Sequence, residues 1–172
     1  GVGSRVDVSM LDAMASLLTF NAGMYFASGE SPKRRGNAHP TISPYETFEA
    51  SDGWFNLGVA NDKFWSIFCE AIGRRDIGSD SRFDSAPRRA TNRAALAEIL
   101  RPIFRSQSRE YWLDVFGRAG IPCGAIRTVG EVCEAPQLTQ RNMVQAVMHK
   151  VAGEVKFVAR PLRFDDLPPG PS

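Results

Sequence analysis

The chain has 172 residues, about one domain's worth, of which 43% are hydrophobic and 23% charged, a balance that excludes a disordered tail. The net charge of +2 is far from the strongly basic balance of a nucleic-acid binder, so no nucleic-acid partner is expected. Cys69, Cys123 and Cys133 are odd in number and form no C-x-x-C, which argues against a disulfide scaffold or a zinc knuckle and fits reduced thiols in a cytoplasm.

No apolar run reaches the roughly 18 residues of a membrane span, and no basic region followed by an apolar core marks a secretory leader. The expectation is a cytoplasmic protein that does not enter a membrane. The first residue is Gly1 rather than Met, which suggests a piece of a longer protein.

In chain order, Ser9 with Asp12 is a capping signature that opens a predicted helix over 9–29. Met10, Leu11, Met14, Leu17, Leu18, Phe20, Met24 and Tyr25 recur near a 3.6 period, but over a wide arc. Such an arc calls for burial on more than one side. The expected cover is sequence outside this chain or another subunit.

Residues 29–44 are rich in Gly, Pro, Ser and Asn and read as a loop. A hairpin follows, with strands Tyr45 to Ala50 and Trp54 to Val59 around an Asp52-Gly53 turn. Phe55, Leu57 and Val59 give the second strand one apolar face. Asn61 caps a predicted helix carrying Phe64, Trp65, Ile67 and Phe68, ended by Gly73.

Residues 74–90 are polar and read as a second loop. Asn92 is expected to cap a helix with Leu96, Ile99, Leu100 and Ile103 on one face and Pro102 near its end. Ser108 to Ala119 forms a third. Cys123 to Ile126 is extended, Thr128 and Glu131 form a capping box, and strands are expected at 144–148 and 155–160. Leu167 to Ser172 is Pro-rich. The fold class that follows is α+β: a small antiparallel sheet covered by helices, preceded by a long linker helix.

The chemistry is sparse. There is no P-loop, no G-x-S-x-G and no H-E-x-x-H. His39 and His149 lie far apart in sequence, so no metal site is expected. His39 sits in a Gly-Asn-Ala-His-Pro loop, where a titratable ring meets flexible backbone. It reads either as part of a ligand pocket or as a surface histidine before a proline. Lys33 to Arg35 would suit a phosphate, or simply form a solvated turn. Cys123 reads as a structural thiol rather than a nucleophile.

An ordered string of motifs goes further. It runs from Gly1, Gly3 and Val6 to Asp12, through Gly36 to Pro40, Pro44-Tyr45, Phe48 and Asp52 to Trp54, to Asn61-Asp62 with Trp65 and Arg82-Phe83. It continues with Asn92-Arg93, Trp112, Gly120 to Gly124, Val129, Glu131-Val132, Pro136-Gln137 and Arg141 to Met143. This string resembles the class III CoA-transferases, whose relatives include α-methylacyl-CoA racemases.

The resemblance implies a large Rossmann-like domain, absent here, and a small α+β domain, with two subunits interlocked as a homodimer. Residues 1–30 correspond to the linker helix, 31–44 to the active-site loop and linker, 45–166 to the small domain and 167–172 to the return linker. The substrates implied are an acyl-CoA and a carboxylic acid, with coenzyme A as substrate rather than cofactor.

In the family an aspartate attacks the thioester and becomes an aspartyl-CoA intermediate. None of Asp7, Asp12 or Asp52 matches it, so no catalytic residue is assigned in this chain. The substrate- and CoA-binding residues implied are Gly36, Asn37, Ala38, His39 and Pro40, with Tyr45 bordering the pocket. Formyl-CoA transferase has a glycine run at this loop. Asn37-Ala38-His39 looks more like relatives that use larger acids. A racemase and a non-catalytic dimerisation module are the alternatives, and the chain alone is expected to be inactive.

Overall fold

The computed structural model describes residues 3–161. The expected end of the small domain at 166 and the linker over 167–172 lie outside the described residues. The chain divides into one unit that ends at Asn37 and another that begins at Ala38.

The first unit holds two helices, α1 (Met10–Ser16) and α2 (Thr19–Ser28). Ser9 caps α1 by accepting a hydrogen bond from the Asp12 amide. The single helix expected over 9–29 is therefore broken. Leu17 closes α1, and Thr19 takes a φ of +43°, a left-handed conformation that no regular helix passes through. No residue of α1 or α2 is buried, and Met10, Leu11, Leu17 and Phe26 are largely exposed.

The second unit opens with β1 (Tyr45–Glu49) and β2 (Trp54–Gly58), an antiparallel pair with Phe48 opposite Phe55. The Asp52-Gly53 turn joins them as the sequence indicates. Helix α3 (Asp62–Ala71) follows, capped by Asn61, whose side chain accepts from the Phe64 amide.

The loop expected over 74–90 is not a plain loop. It carries α4 (Arg75–Gly78) and α5 (Ala86–Thr91). Both are short and lack an apolar stripe, so periodicity does not reveal them. Helix α6 (Arg93–Arg105) runs through Pro102. Asn92 precedes it but does not cap it. Its amide donates instead to the carbonyls of Arg82 and Arg88.

Helix α7 (Arg109–Arg118) is capped by Ser108. Strand β3 (Cys123–Ala125) pairs antiparallel with β2, giving the sheet order β1-β2-β3. Helix α8 (Val129–Cys133) carries the expected capping box, and α9 (Pro136–Gln140) follows. Strands β4 (Val144–His149) and β5 (Gly153–Val158) form a separate two-stranded sheet, the second starting two residues earlier than expected.

One face of the three-stranded sheet is covered by α3, α6 and α7. Phe48, Phe55, Phe68, Phe104, Trp112 and Phe116 meet there, and all are buried. Phe104 lies at the centre, its ring 4.8 Å from Phe48 and 5.3 Å from both Phe55 and Trp112. These edge-on contacts match the geometry that aromatic quadrupoles prefer. Cys69 lies in the same core, and burial pushes its thiol up to about 12.

Candidate functional site

The residues singled out from the sequence fall in both units. Gly36, with a φ of +61°, and Asn37 close the first, while Ala38, His39, Pro40 and Tyr45 open the second. Lys33, Arg34 and Arg35 are exposed in the first. Within the second unit, the structure brings His39 and Tyr45 together. Their rings stack 5.2 Å apart at an interplanar angle of 13°. The His39 amide donates to the Tyr45 carbonyl at 2.9 Å. Tyr45 lies across from Gly58, where an added Cβ would sit 3.5 Å from the ring. The tyrosine ring thus lies over Gly58 of the neighbouring strand at van der Waals range.

The His39 ring closes a tight turn. Its Nδ1 accepts from the amides of Thr41 at 3.3 Å and Ile42 at 3.2 Å. A nitrogen that accepts two amides carries no proton, so in the neutral ring the hydrogen lies on Nε2.

Two arginines four residues apart, Arg89 on α5 and Arg93 on α6, bond this turn and the residue after it. Arg93 Nη2 donates to the carbonyls of His39 at 2.5 Å and Ile42 at 3.0 Å. Arg89, only 1% exposed, donates from Nε to Ser43 O at 3.2 Å and from Nη1 to Phe83 O at 3.0 Å. Its Nη2 pairs with Asp62 at 2.7 Å, and its guanidinium lies 4.8 Å from the Trp65 ring centre. A buried guanidinium is tolerable only when its donors are used and its charge is answered, and here both hold. The adjoining Ser43–Pro44 bond is cis, and Pro44 O accepts from the Val59 amide at 2.9 Å. Glu46, which follows Tyr45 on β1, has its carboxyl pushed up by burial, against the pull of Arg93 and Arg101.

These contacts explain the spacing of the sequence motifs. Asn61 caps the helix that presents Asp62 and Trp65. Phe83 supplies a carbonyl to Arg89, and Arg82 one to Asn92. Residues from 43 to 93 therefore converge on the segment that carries His39. Arg89 was missed from the sequence. It lies in the stretch read as a loop, and its partners reach 46 residues away. No local pattern announces it.

A second convergence surrounds Arg109. Its amide donates to Asp52 Oδ1 at 2.6 Å, and its guanidinium to Ile126 O at 2.7 Å and Glu131 Oε1 at 2.6 Å. The Arg109 side chain runs alongside Gly53, with its atoms 3.4 Å from where a Cβ would stand. The Arg109 guanidinium and the Thr128 amide hold the Glu131 carboxyl down at about 2. The cleft beside this cluster, about 320 Å³, has Trp54 and Ile126 on its walls. Cys123 is half-buried, with its thiol pushed up by burial and its sulfur 3.9 Å from Leu113 O, which suits packing rather than attack. Among the described residues no group of three or more His, Cys, Asp or Glu side chains could hold a metal ion.

The arrangement is one of charge-assisted hydrogen bonds that fix the segments carrying His39 and Asp52. Comparison with known proteins says what it belongs to. The model for "CoA-transferase family III" matches residues 1–172. The chain belongs to that family.

Its relatives include an acetyl-CoA:oxalate CoA-transferase of Acetobacter aceti, 35% identical over 84% of this chain and 37% of the relative. A succinyl-CoA:mesaconate CoA-transferase of Haloarcula hispanica is 32% identical over 99% of this chain and 43% of the relative. A solved CAIB/BAIF family protein from Brucella suis superposes with a TM-score of 0.79 at 36% identity, over 98% of this chain and 43% of that one. The chain thus spans about two fifths of the length of these proteins, and it is α+β, as the motif string implied. No helix among the described residues is long and apolar enough to cross a membrane.

Proposed function

We propose that this chain is the small-domain part of a cytoplasmic, homodimeric enzyme that moves coenzyme A from an acyl-CoA to a free carboxylic acid. The observation that carries the reading is the family match along the whole chain, together with relatives named for exchange between succinyl- or acetyl-CoA and another acid. A carboxylate nucleophile keeps the thioester's energy through two successive exchanges. An aspartate outside residues 1–172 attacks the acyl-CoA, giving a mixed anhydride and free CoA thiolate. The thiolate then attacks the aspartyl carbonyl and releases the first acid, leaving an aspartyl-CoA thioester. The second acid repeats the sequence in reverse order. Each intermediate is open to hydrolysis, so water must be kept away.

In this reading the present chain supplies the covering loop. Gly36, Asn37, Ala38, His39, Pro40 and Tyr45 contact the substrate, and coenzyme A is a substrate, with no bound cofactor or metal. The aspartates at hand are otherwise engaged: Asp52 accepts from the Arg109 amide and Asp62 pairs with Arg89. The side chains at 37–39 favour acids larger than formate or oxalate.

The test is to express the complete reading frame and mix an acyl-CoA with a second, isotopically labelled acid. Expected are transfer of CoA to the labelled acid and a preference for mesaconate or glutarate over oxalate. Deuterium uptake at the acyl α-carbon without exchange between acids would replace this reading with racemase chemistry.

A further inference from the structure

Both histidines of the chain sit in the same kind of turn, but the two turns are supported differently. His149 Nδ1 accepts from the amides of Val151 at 3.2 Å and Ala152 at 3.1 Å. That turn closes the β4–β5 hairpin, and the ladder on either side, with His149 opposite Gly153, holds it. The His39 turn closes no hairpin. In place of a ladder it has the Arg93 guanidinium, which bonds the carbonyls at both ends of the turn, His39 and Ile42.

We propose that Arg93 is the positioning residue for the His39 ring, holding the turn in the one geometry that keeps Nδ1 an acceptor and fixes Nε2 as the protonated nitrogen. Tyr45, stacked at 13° on the ring, sets its plane, and Arg93 sets which edge carries the hydrogen. A neutral imidazole fixed in this tautomer is a donor of known direction. Resting on the transferase reading, its chemical match is an anionic or carbonyl oxygen of the acyl group or of the acceptor carboxylate. Arg93 itself need not touch the substrate.

The chain has only two histidines, so its ring nitrogens can be resolved one by one. The 172-residue chain, labelled with nitrogen-15 histidine, is compared with Arg93→Gln and Arg93→Leu by two-bond proton–nitrogen correlation. In the unsubstituted chain both rings should show the pattern of a protonated Nε2. In the variants His39 should collapse to a mixed-tautomer pattern and His149 should keep its own. Amide exchange at Thr41 and Ile42 should quicken at least about tenfold, the effect of losing a charge-assisted hydrogen bond.

A His39 pattern unchanged in both variants overturns the proposal. So does a protonated Nδ1 in the unsubstituted chain, a result that needs no variant to fold. These readouts involve no turnover, so they stand apart from the transferase reading. In the complete enzyme the same variants should raise KM for the acceptor acid about tenfold with a smaller change in kcat. A fall in kcat alone would count against a positioning role.

Discussion

Arg89 shows how much of this fold rests on single side chains that are polar and buried. Its three nitrogens serve two carbonyls and one carboxylate, and its partner Asp62 remains 65% exposed. The two ends of the pair should therefore behave differently. Arg89→Met strands the Ser43 and Phe83 carbonyls and is expected to cost about 3 kcal/mol in urea unfolding. Asp62→Asn keeps an acceptor beside Nη2 but leaves the buried guanidinium's charge unanswered, so it should cost less than Arg89→Met, about 1–2 kcal/mol. Glu131 gives a pH signature. Its carboxyl is held below its ordinary 4.5, so the folded state resists protonation more than the unfolded chain does. The stability it adds is present above that ordinary value and is lost as the pH falls from there towards about 2. Thermal melts across this window should steepen in the parent chain, and Glu131→Gln should remove that part of the slope.

At the scale of elements, Pro102 is the clearest local conflict. It lies inside α6, where it denies the helix a hydrogen bond that an alanine would make. Pro102→Ala should gain about 1 kcal/mol or more after the loss of chain stiffness is set against it, read as a raised Tm. The elements also show what could be read from sequence. Ser9, Asn61 and Thr128 cap their helices as their spacing indicates, because a cap is a contact over three residues. Helix α5 escaped notice because what fixes it is Arg89, whose partners include Ser43 and Asp62. Asn92 was misread for a related reason: its amide had carbonyls on two other residues to satisfy. At the candidate site, the sequence singled out the 36–40 loop and Tyr45, of which the structure brings His39 and Tyr45 together. Arg93 stood in the motif string but its role, like the presence of Arg89, did not show, since a guanidinium bonding distant carbonyls leaves no period in the sequence.

For the molecule as a whole, the two units differ in kind. The second has a dense aromatic core. The first has helices with no buried residue and a row of exposed Met, Leu and Phe side chains. Short helices without tertiary cover are marginal in water. The chain by itself is therefore expected to associate through this surface, and sedimentation at rising concentration should show it. Leu11→Glu with Leu17→Glu should shift the distribution towards monomer, whereas a monodisperse monomer in the parent chain would contradict the expectation. The same chain should exchange no CoA between acids, because in the proposed reading the attacking aspartate lies outside residues 1–172; turnover by the purified chain would contradict that reading.

Cys69 supplies an internal clock for this architecture. The thiol is 2% exposed, its ionisation is pushed up to about 12, and Gly78 packs against it closely enough that an added Cβ would lie 3.5 Å from its sulfur. Alkylating reagents attack thiolates, so this sulfur should stay silent for as long as the aromatic core remains shut. Its labelling by iodoacetamide, followed by mass spectrometry, should proceed only through opening of that core and so report how often the core is open, without any engineered probe.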